Sequence, residues 1–297
     1  MLAGMDLGGS KIEAILLADD GSELLRIRRP TPAGDYPATL HTIAALHGEL
    51  ETRAGKQLPL GLGTPGSRSP ATGRMRNANS TCLNGQDLQN DLENLLQRPL
   101  RMANDADCFT LSEAVDGAGG DSTLVFGVII GTGTGGGIAW KGRLLGGPNA
   151  VTGEWGHNPL PWPKPDEQPG PVCWCGKHGC IETFLSGPGL AAEHQRRTGQ
   201  QLSGPKIVAA AKQGDEDANT TLSRYASRLA RALASIINVL DPDVIVLGGG
   251  LSQIQTLYDE VPRLWREYVF SDVCSTRLLS PVHGDSSGVR GAAWLWR

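Results

Sequence analysis

The sequence predicts an α/β protein of two similar units with a cleft between them. Its first part orders as βββαβαβα. A second unit begins near residue 122 and repeats the opening theme, an apolar strand running into a glycine-rich turn and back out as a strand. Residues 158–172 carry six prolines and read as an irregular loop ahead of a cysteine cluster.

Residues 2–7 form a short apolar run with Asp6 at its end, 12–18 form another, and 22–29 alternate loosely. The turn signals Gly8-Gly9 and Asp19-Asp20-Gly21 separate them, which predicts three antiparallel strands. Leu40, Ile43, Ala44, Leu46 and Leu50 recur at helical spacing, so 37–54 is a helix. A strand at 59–63 enters Thr64-Pro65-Gly66. A helix at 87–96, a strand at 100–103 and a helix at 106–116 complete the first unit. In the second, 123–130 is a buried strand, 131–137 a glycine-rich turn, and 138–140 the returning strand. Helices are predicted at 186–198, 205–213 and 217–240, a strand at 243–247, a helix at 252–269 and a terminal helix at 287–296.

Composition narrows the function. The formal net charge of −4, without a basic block, argues against a nucleic-acid partner. No apolar run reaches the roughly 18–20 residues that span a bilayer, and no signal peptide is evident, so a cytoplasmic location is expected. Six cysteines in such a chain read as metal ligands and buried thiols rather than disulfides. Cys82, Cys108 and Cys274 have no partner spacing and read as buried thiols.

Cys173, Cys175 and Cys180 fall within eight residues, with Gly176 and Gly179 to turn the backbone. Tight thiolate spacing of this kind suits Zn²⁺, which takes four tetrahedral ligands. The best candidate for the fourth is His157, in Gly153-Glu154-Trp155-Gly156-His157, with His178 as its rival. Glu154 and Glu182 flank the cluster. Asp6-Leu7-Gly8-Gly9-Ser10-Lys11 sits at a strand–strand turn whose open N–H groups, hydroxyl and ammonium suit phosphate. It is not a P-loop, because a strand follows where a P-loop starts a helix, and a plain hairpin turn competes with the phosphate reading. Gly131–Gly137 is a second such turn. Gly248–Gly250 is a third, suited to a flat adenine or ribose. Asn104-Asp105 lies where a strand meets a helix, the edge at which α/β folds bind ligands, and Asp there can accept a hydroxyl proton; helix capping is the competing reading.

Taken together, DLGGSK at 6–11, GTPG at 63–66, NDA at 104–106, IGTGTGGG at 130–137, EWGH at 154–157, CWCGKHGCIE at 173–182 and VLGGG at 246–250 resemble the ROK family (repressors, open reading frames, kinases) over nearly the whole chain. NANSTCLNG at 77–85, EWGHNPLPW at 154–162 and HGDSSGVRGAAWLW at 283–296 look most like bacterial fructokinases of the mannofructokinase type. Thr64 departs from the family's aliphatic residue there, with little effect expected because the glycines shape the loop.

The resemblance implies a two-domain actin-like ATPase (ribonuclease H-like) fold. A small domain would span 1–117, completed by 287–297, and a large one 118–286 with the zinc loop and dimerisation helices. It implies a homodimer that transfers the γ-phosphoryl of Mg·ATP to the 6-hydroxyl of fructose, or also of mannose or glucose. Asp105 would be the general base. Asn104, Glu154, His157 and Glu182 would bind sugar hydroxyls, with Gly66 and Asn79 lining the pocket. Asp6 would help hold Mg²⁺–nucleotide; Gly8, Gly9, Ser10, Lys11, Thr132 and Gly133 would contact phosphates, and Gly249 and Gly250 would border the adenosine. EWGH favours His157 over His178 as the fourth ligand of a structural zinc. An N-acetylglucosamine or N-acetylmannosamine kinase is the alternative; bulky Trp155 beside Glu154 counts mildly against it. A sugar-responsive repressor is the alternative of another class, disfavoured because family repressors carry a winged helix before the first motif and Asp6 is the sixth residue here.

Overall fold

The computed structural model describes residues 1–284 and 287–297. Asp285 and Ser286, within the HGDSSGVRGAAWLW stretch and at the expected end of the large domain, lie outside the described residues. The chain divides into two compact units. One holds Met1–Asp121, Gly137–Thr152 and Val282–Arg297, and the other Ser122–Gly136 and Gly153–Pro281. The expected division differs over residues 137–152. They group with the first unit because the strand Arg143–Leu144 packs on the helix Asp105–Val115, a pairing that no break in composition announces.

In the first unit, β1 (Leu2–Leu7), β2 (Lys11–Leu17) and β3 (Glu23–Pro30) pair antiparallel, as expected. Then come α1 (Tyr36–Ala54), β4 (Leu60–Thr64), the two-residue strands β5 (Ser67–Arg68) and β6 (Met75–Arg76), α2 (Leu88–Leu96), β7 (Leu100–Asn104) and α3 (Asp105–Val115). The sheet order is β3-β2-β1-β4-β7, with β4 parallel to β1 and to β7. Alternation along the strands sends Ala3, Met5, Ile12, Ala14, Leu60 and Leu62 to a core shared with Ile43, Leu46 and Leu88 of α1 and α2. Ile15 and Leu17 face the opposite way, onto Leu111 of α3 and Val289 and Ala293 of the last helix.

That last helix (Ser287–Trp294) lies close against the sheet and against α3 because glycines admit it. A methyl group on Gly61 would come 1.8 Å from the Ala292 carbonyl, and one on Gly291 1.6 Å from the Cys108 carbonyl. The strand glycines therefore serve backbone-to-backbone approach rather than turns.

After α3 the chain runs through β8 (Leu124–Ile130), β9 (Thr134–Trp140), β10 (Arg143–Leu144), α4 (Glu182–Leu185), α5 (Gly187–Thr198), α6 (Gly204–Lys212), α7 (Glu216–Leu240), β11 (Val244–Gly248), α8 (Thr256–Leu264), β12 (Arg277–Leu279) and α9 (Ser287–Trp294); β10, α9 and the end of β9 belong to the first unit, and the rest to the second. The second five-stranded sheet orders β10-β9-β8-β11-β12, and the boundary between units falls inside β9. Strand β9 starts at Thr134, inside the expected turn, since Gly135–Gly137 extend as readily as they bend. The expected helix at 252–269 resolves into a 3-10 turn (Gly250–Gln253), α8, and a second 3-10 turn (Trp265–Glu267). Pro262 sits within α8 and lacks the N–H that a continuous helix would use.

The proline-rich loop is anchored by a buried ion cluster. Glu167 accepts from Arg228 Nε at 2.8 Å and from Arg231 Nη1 and Nη2 at 2.8 and 2.9 Å. Both arginines come from α7, one turn apart, and each side chain is only 1% exposed. No helix among the described residues is long and apolar enough to cross a membrane.

Candidate active site

Parallel pairing gathers the first unit's site residues at one sheet edge. Asp6 pairs with Gly63, and Thr64 with Asn104, so β1, β4 and β7 all end there. Ligands of α/β sheets bind at such carboxyl-end edges. Asn104 caps α3, its Oδ1 accepting the Asp107 N–H at 2.6 Å. Asp105 therefore begins the helix and stays exposed, with its Oδ1 accepting the Ala106 N–H at 2.9 Å.

Asp6 points to the α3–α9 face of the sheet. Methyl groups built on Gly63 and Gly288 would each lie 3.3 Å from a carboxylate oxygen of Asp6, so glycines on both sides leave it room. Burial first, then the charges of Asp105 and Glu13, raise the Asp6 pKa to about 6, with Lys11 pulling against them. Burial also raises the Asp105 pKa, opposed by the N–H groups at the helix start. Burial pushes the Cys108 thiol far up, helped by Asp6, Asp107 and Asp105. The unit thus carries an acidic cluster beside an open glycine turn, an arrangement whose chemistry suits a cation shared with phosphate oxygens.

That turn is closed by Gly8 N–H to the Lys11 carbonyl at 2.9 Å and braced by Thr31, whose hydroxyl donates to the Gly8 carbonyl at 2.7 Å. Gly9 lies beside Ser80, while Ser10 accepts the Thr31 N–H through its carbonyl. Gly66 has φ +73°, and any side chain there would strike Arg76 and Ala78 backbone. Asn79 is exposed next to Ala78, whose N–H and C=O are both held by the Asn84 amide at 2.9 Å.

In the second unit Gly131, Thr132 and Gly133 form the turn between β8 and β9, closed by Gly131 N–H to the Gly133 carbonyl at 2.9 Å. Gly131, Thr132 and Gly250 line one cavity of about 770 Å³. Pro188, Ser203, Pro205, Val208, Lys212, Leu251, Gln253 and Ile254 also face it. Gly249, with φ +82°, packs on Ile130 and sets the turn after β11. Apolar walls with a few polar groups, opening on a glycine turn, suit a nucleoside with its phosphates at the turn. Ser203, Lys212 and Gln253 escaped the sequence reading because α6 and the segment after β11 meet only in the fold.

The Cys/His cluster is assembled. Ligand atoms of His157, Cys173, Cys175 and Cys180 all lie within 4.8 Å of one another. Cys173 Sγ is 3.6 Å from His157 Nδ1, and Cys175 Sγ is 3.6 Å from Cys180 Sγ. Thiolates on a tetrahedral zinc, at about 2.3 Å each, stand about 3.7 Å apart, so the donor set fits that ion. His178 lies outside the group, its Nδ1 3.4 Å from the Gly170 carbonyl. Burial, then the neighbouring Cys175 and Cys173, hold Cys180 up at about 12, and a divalent cation would reverse this by stabilising thiolates. Cys175→Ser is expected to bind less zinc than the wild-type chain, checked by metal analysis of the two purified proteins.

Glu154 is exposed on the turn before His157. Trp155 beside it is 3% exposed and turns into its own unit, its Nε1 donating to the Gly135 carbonyl at 2.9 Å and its ring meeting Phe126 edge-on. The expectation that Trp155 crowds an N-acetyl group is therefore corrected: glycines at 135 and 136 let the indole sink into the core. Glu182 starts α4, and its two oxygens accept the Trp174 indole N–H at 2.7 Å and the Thr134 N–H at 2.9 Å.

The sequence pattern of the ROK family matches residues 2–297. The chain is 37% identical to the N-acetyl-D-glucosamine kinase of Vibrio atlanticus (strain LGP32) over 299 residues, covering 99% of each. It is 39% identical to that of Escherichia coli O139:H28 over 300 residues, again covering 99% of each. Among solved structures, the ROK hexokinase from Thermus thermophilus aligns with a TM-score of 0.88 at 28% identity, over 99% of this chain and 96% of that one. A ROK family glucokinase from Streptomyces griseus, in complex with glucose and AMPPNP, aligns with a TM-score of 0.77 at 25% identity, over 99% and 98%. These relatives lend no support to the fructokinase subtype expected from three local motifs.

Proposed function

The chain belongs to the ROK family, and from that premise we propose that it is an ATP-dependent N-acetyl-D-glucosamine kinase, carrying the γ-phosphoryl of Mg·ATP to the sugar's 6-hydroxyl. Its fold is the two-domain actin-like ATPase fold of the family, and sugar kinase is its class. The observation that carries the substrate is the 37–39% identity, over 99% of both chains, to N-acetyl-D-glucosamine kinases. The burial of Trp155 agrees with it, since it removes the residue that counted against an acetamido group.

In this reading Asp105 accepts the proton of the 6-hydroxyl as that oxygen bonds to the γ-phosphorus and the bond to the β-phosphate oxygen breaks, leaving ADP. Phosphoryl transfer asks for positioning and charge neutralisation more than for covalent chemistry. Lys11, the N–H groups of Gly9 and Ser10, and those of Thr132 and Gly133 supply donors for phosphate oxygens, with Gly8 closing the first turn. Mg²⁺ bound with the nucleotide supplies further neutralisation, and Asp6 is the residue that would hold it. The adenosine occupies the cavity lined by Gly250, with Gly249 shaping its edge. Asn104, Glu154, His157 and Glu182 bind sugar hydroxyls, and Gly66 and Asn79 shape the surrounding loop. His157, Cys173, Cys175 and Cys180 would hold a structural Zn²⁺, which would brace the Cys/His loop apart from the transfer. The homodimer implied by family membership is part of the same proposal.

Two consequences are measurable. Incubation with Mg·ATP and N-acetylglucosamine yields the sugar 6-phosphate and one ADP per product; ATP hydrolysis without a phosphosugar would reject the reading. The kcat/KM of the free enzyme falls as pH drops through about 6. Asp6 and Asp105 both have raised pKa values, so each takes up a proton at a higher pH than an ordinary carboxylate and loses the charge that it needs. A pH–rate profile flat from 7 down to 5 would contradict this.

A further inference from the structure

Trp174 is the middle residue of the Cys173–Cys175 turn and is 69% exposed. A large indole in solvent would normally be loose, yet this one is fixed at two points. Its ring meets His157 edge-on, with centroids 4.8 Å apart and planes at 86°. Its Nε1 donates to Glu182 Oε1 at 2.7 Å. The backbone beneath it is pinned as well, by Gly176 N–H to the Cys173 carbonyl at 2.9 Å and Cys173 N–H to the Lys177 carbonyl at 2.8 Å.

The other oxygen of Glu182 is held from the opposite side. Oε2 accepts the Thr134 N–H at 2.9 Å, and a methyl group on Gly133 would stand 2.7 Å from it. A carboxylate offers about four acceptor directions, of which these two donors take one on each oxygen. The remaining two are left at fixed orientations, one per oxygen.

We propose that Trp174 is the positioning residue for Glu182: its indole N–H, opposite the Thr134 N–H, fixes the carboxylate so that the free acceptor direction of each oxygen is presented to a pair of sugar hydroxyls. The proposal rests on the reading that Glu182 binds the sugar. It also gives the Cys/His loop a direct bearing on substrate, because the turn that carries two thiol ligands also carries the donor that sets Glu182.

The test compares Trp174→Phe and Glu182→Ala with the wild-type enzyme, using the sugar that the wild type phosphorylates best. Trp174→Phe keeps an aromatic edge for His157 and removes the N–H. Its sugar KM should rise about tenfold, the scale of one hydrogen bond to a charged group. Its kcat, its KM for ATP and its zinc content should stay within about twofold of wild type. A sugar KM within twofold of wild type overturns the proposal, as does loss of zinc in step with the KM change, which would make Trp174 a support of the metal loop alone. A sugar KM unaffected by Glu182→Ala overturns both the proposal and the reading beneath it. A Glu182→Ala effect without a Trp174→Phe effect overturns only the role of Trp174. Failure of N-acetylglucosamine as substrate shows separately, in the wild-type sugar panel.

Discussion

Asp105→Ala is expected to lower kcat by about 10²–10⁴-fold, the usual contribution of a positioned general base, while the sugar Kd stays within a few-fold of wild type. The expectation rests on where the residue stands. Asp105 opens α3 directly after the capping residue Asn104, at the edge where β1, β4 and β7 end. The residue keeps accessible surface, and its Oδ1 accepts the Ala106 N–H. The raised pKa suits a base better than an ordinary carboxylate would, because it lies nearer the working pH. Sugar affinity should survive because Asn104, Glu154, His157 and Glu182 are untouched. Asp105→Asn preserves size and hydrogen bonding and should lose comparable turnover. Calorimetric titration of sugar into each variant, paired with kcat, separates binding from chemistry. Retention of more than about a tenth of wild-type kcat in Asp105→Ala would remove Asp105 from the role of base.

Glu167→Ala is expected to destabilise the protein by about 3–5 kcal/mol, the usual cost of removing one partner from a buried ion pair. The substitution would leave Arg231 with backbone carbonyls but no carboxylate, and would weaken the partnership of Arg228, which retains Glu193 at 3.2 Å. Against a typical total of roughly 5–15 kcal/mol, that loss is large. Burial alone would raise the Glu167 pKa, but the bonds from Arg231, Lys164 N–H and Arg228 outweigh it and hold the pKa at about 2. With the folded pKa below the unfolded one, this contribution is complete above about 4.5 and is lost as pH falls from there towards 2. Urea unfolding at pH 7 and at pH 3 checks both statements. A shift under 1 kcal/mol for Glu167→Ala at pH 7 would show that the proline-rich loop does not depend on this cluster.

Much of the candidate site was legible because its signals are local. The Cys173–Cys180 spacing, the turn at Gly8-Gly9, and Asn104-Asp105 at a strand–helix junction each lie within a few residues, and the fold assembles each where expected. Other features arise only from distant segments. The surroundings of Asp6 come from Gly63 on β4, Cys108 on α3 and Gly288 on α9, and no spacing joins them. The walls of the cavity come from α5, α6 and the turn after β11. The direction of Trp155 depended on glycines twenty residues earlier, so its bulk could be read from the sequence but not its burial. Pro262 could have marked the break in the last long helix, since a proline inside a periodic stretch removes a hydrogen bond.

Specificity is the point on which local motifs and whole-chain similarity part. NANSTCLNG, EWGHNPLPW and the carboxy-terminal stretch resemble fructokinases, whereas the full chain is most informatively compared with N-acetyl-D-glucosamine kinases over 99% of its length. An acetamido group needs room and hydrogen-bond partners that a fructose site has no reason to provide, and sites built around a polar group reject analogues that lack it. The measurement that decides is kcat/KM with Mg·ATP for N-acetylglucosamine, fructose, glucose and mannose on one enzyme preparation. The account predicts N-acetylglucosamine first by at least about tenfold; fructose first, or no phosphorylation of N-acetylglucosamine, would contradict it.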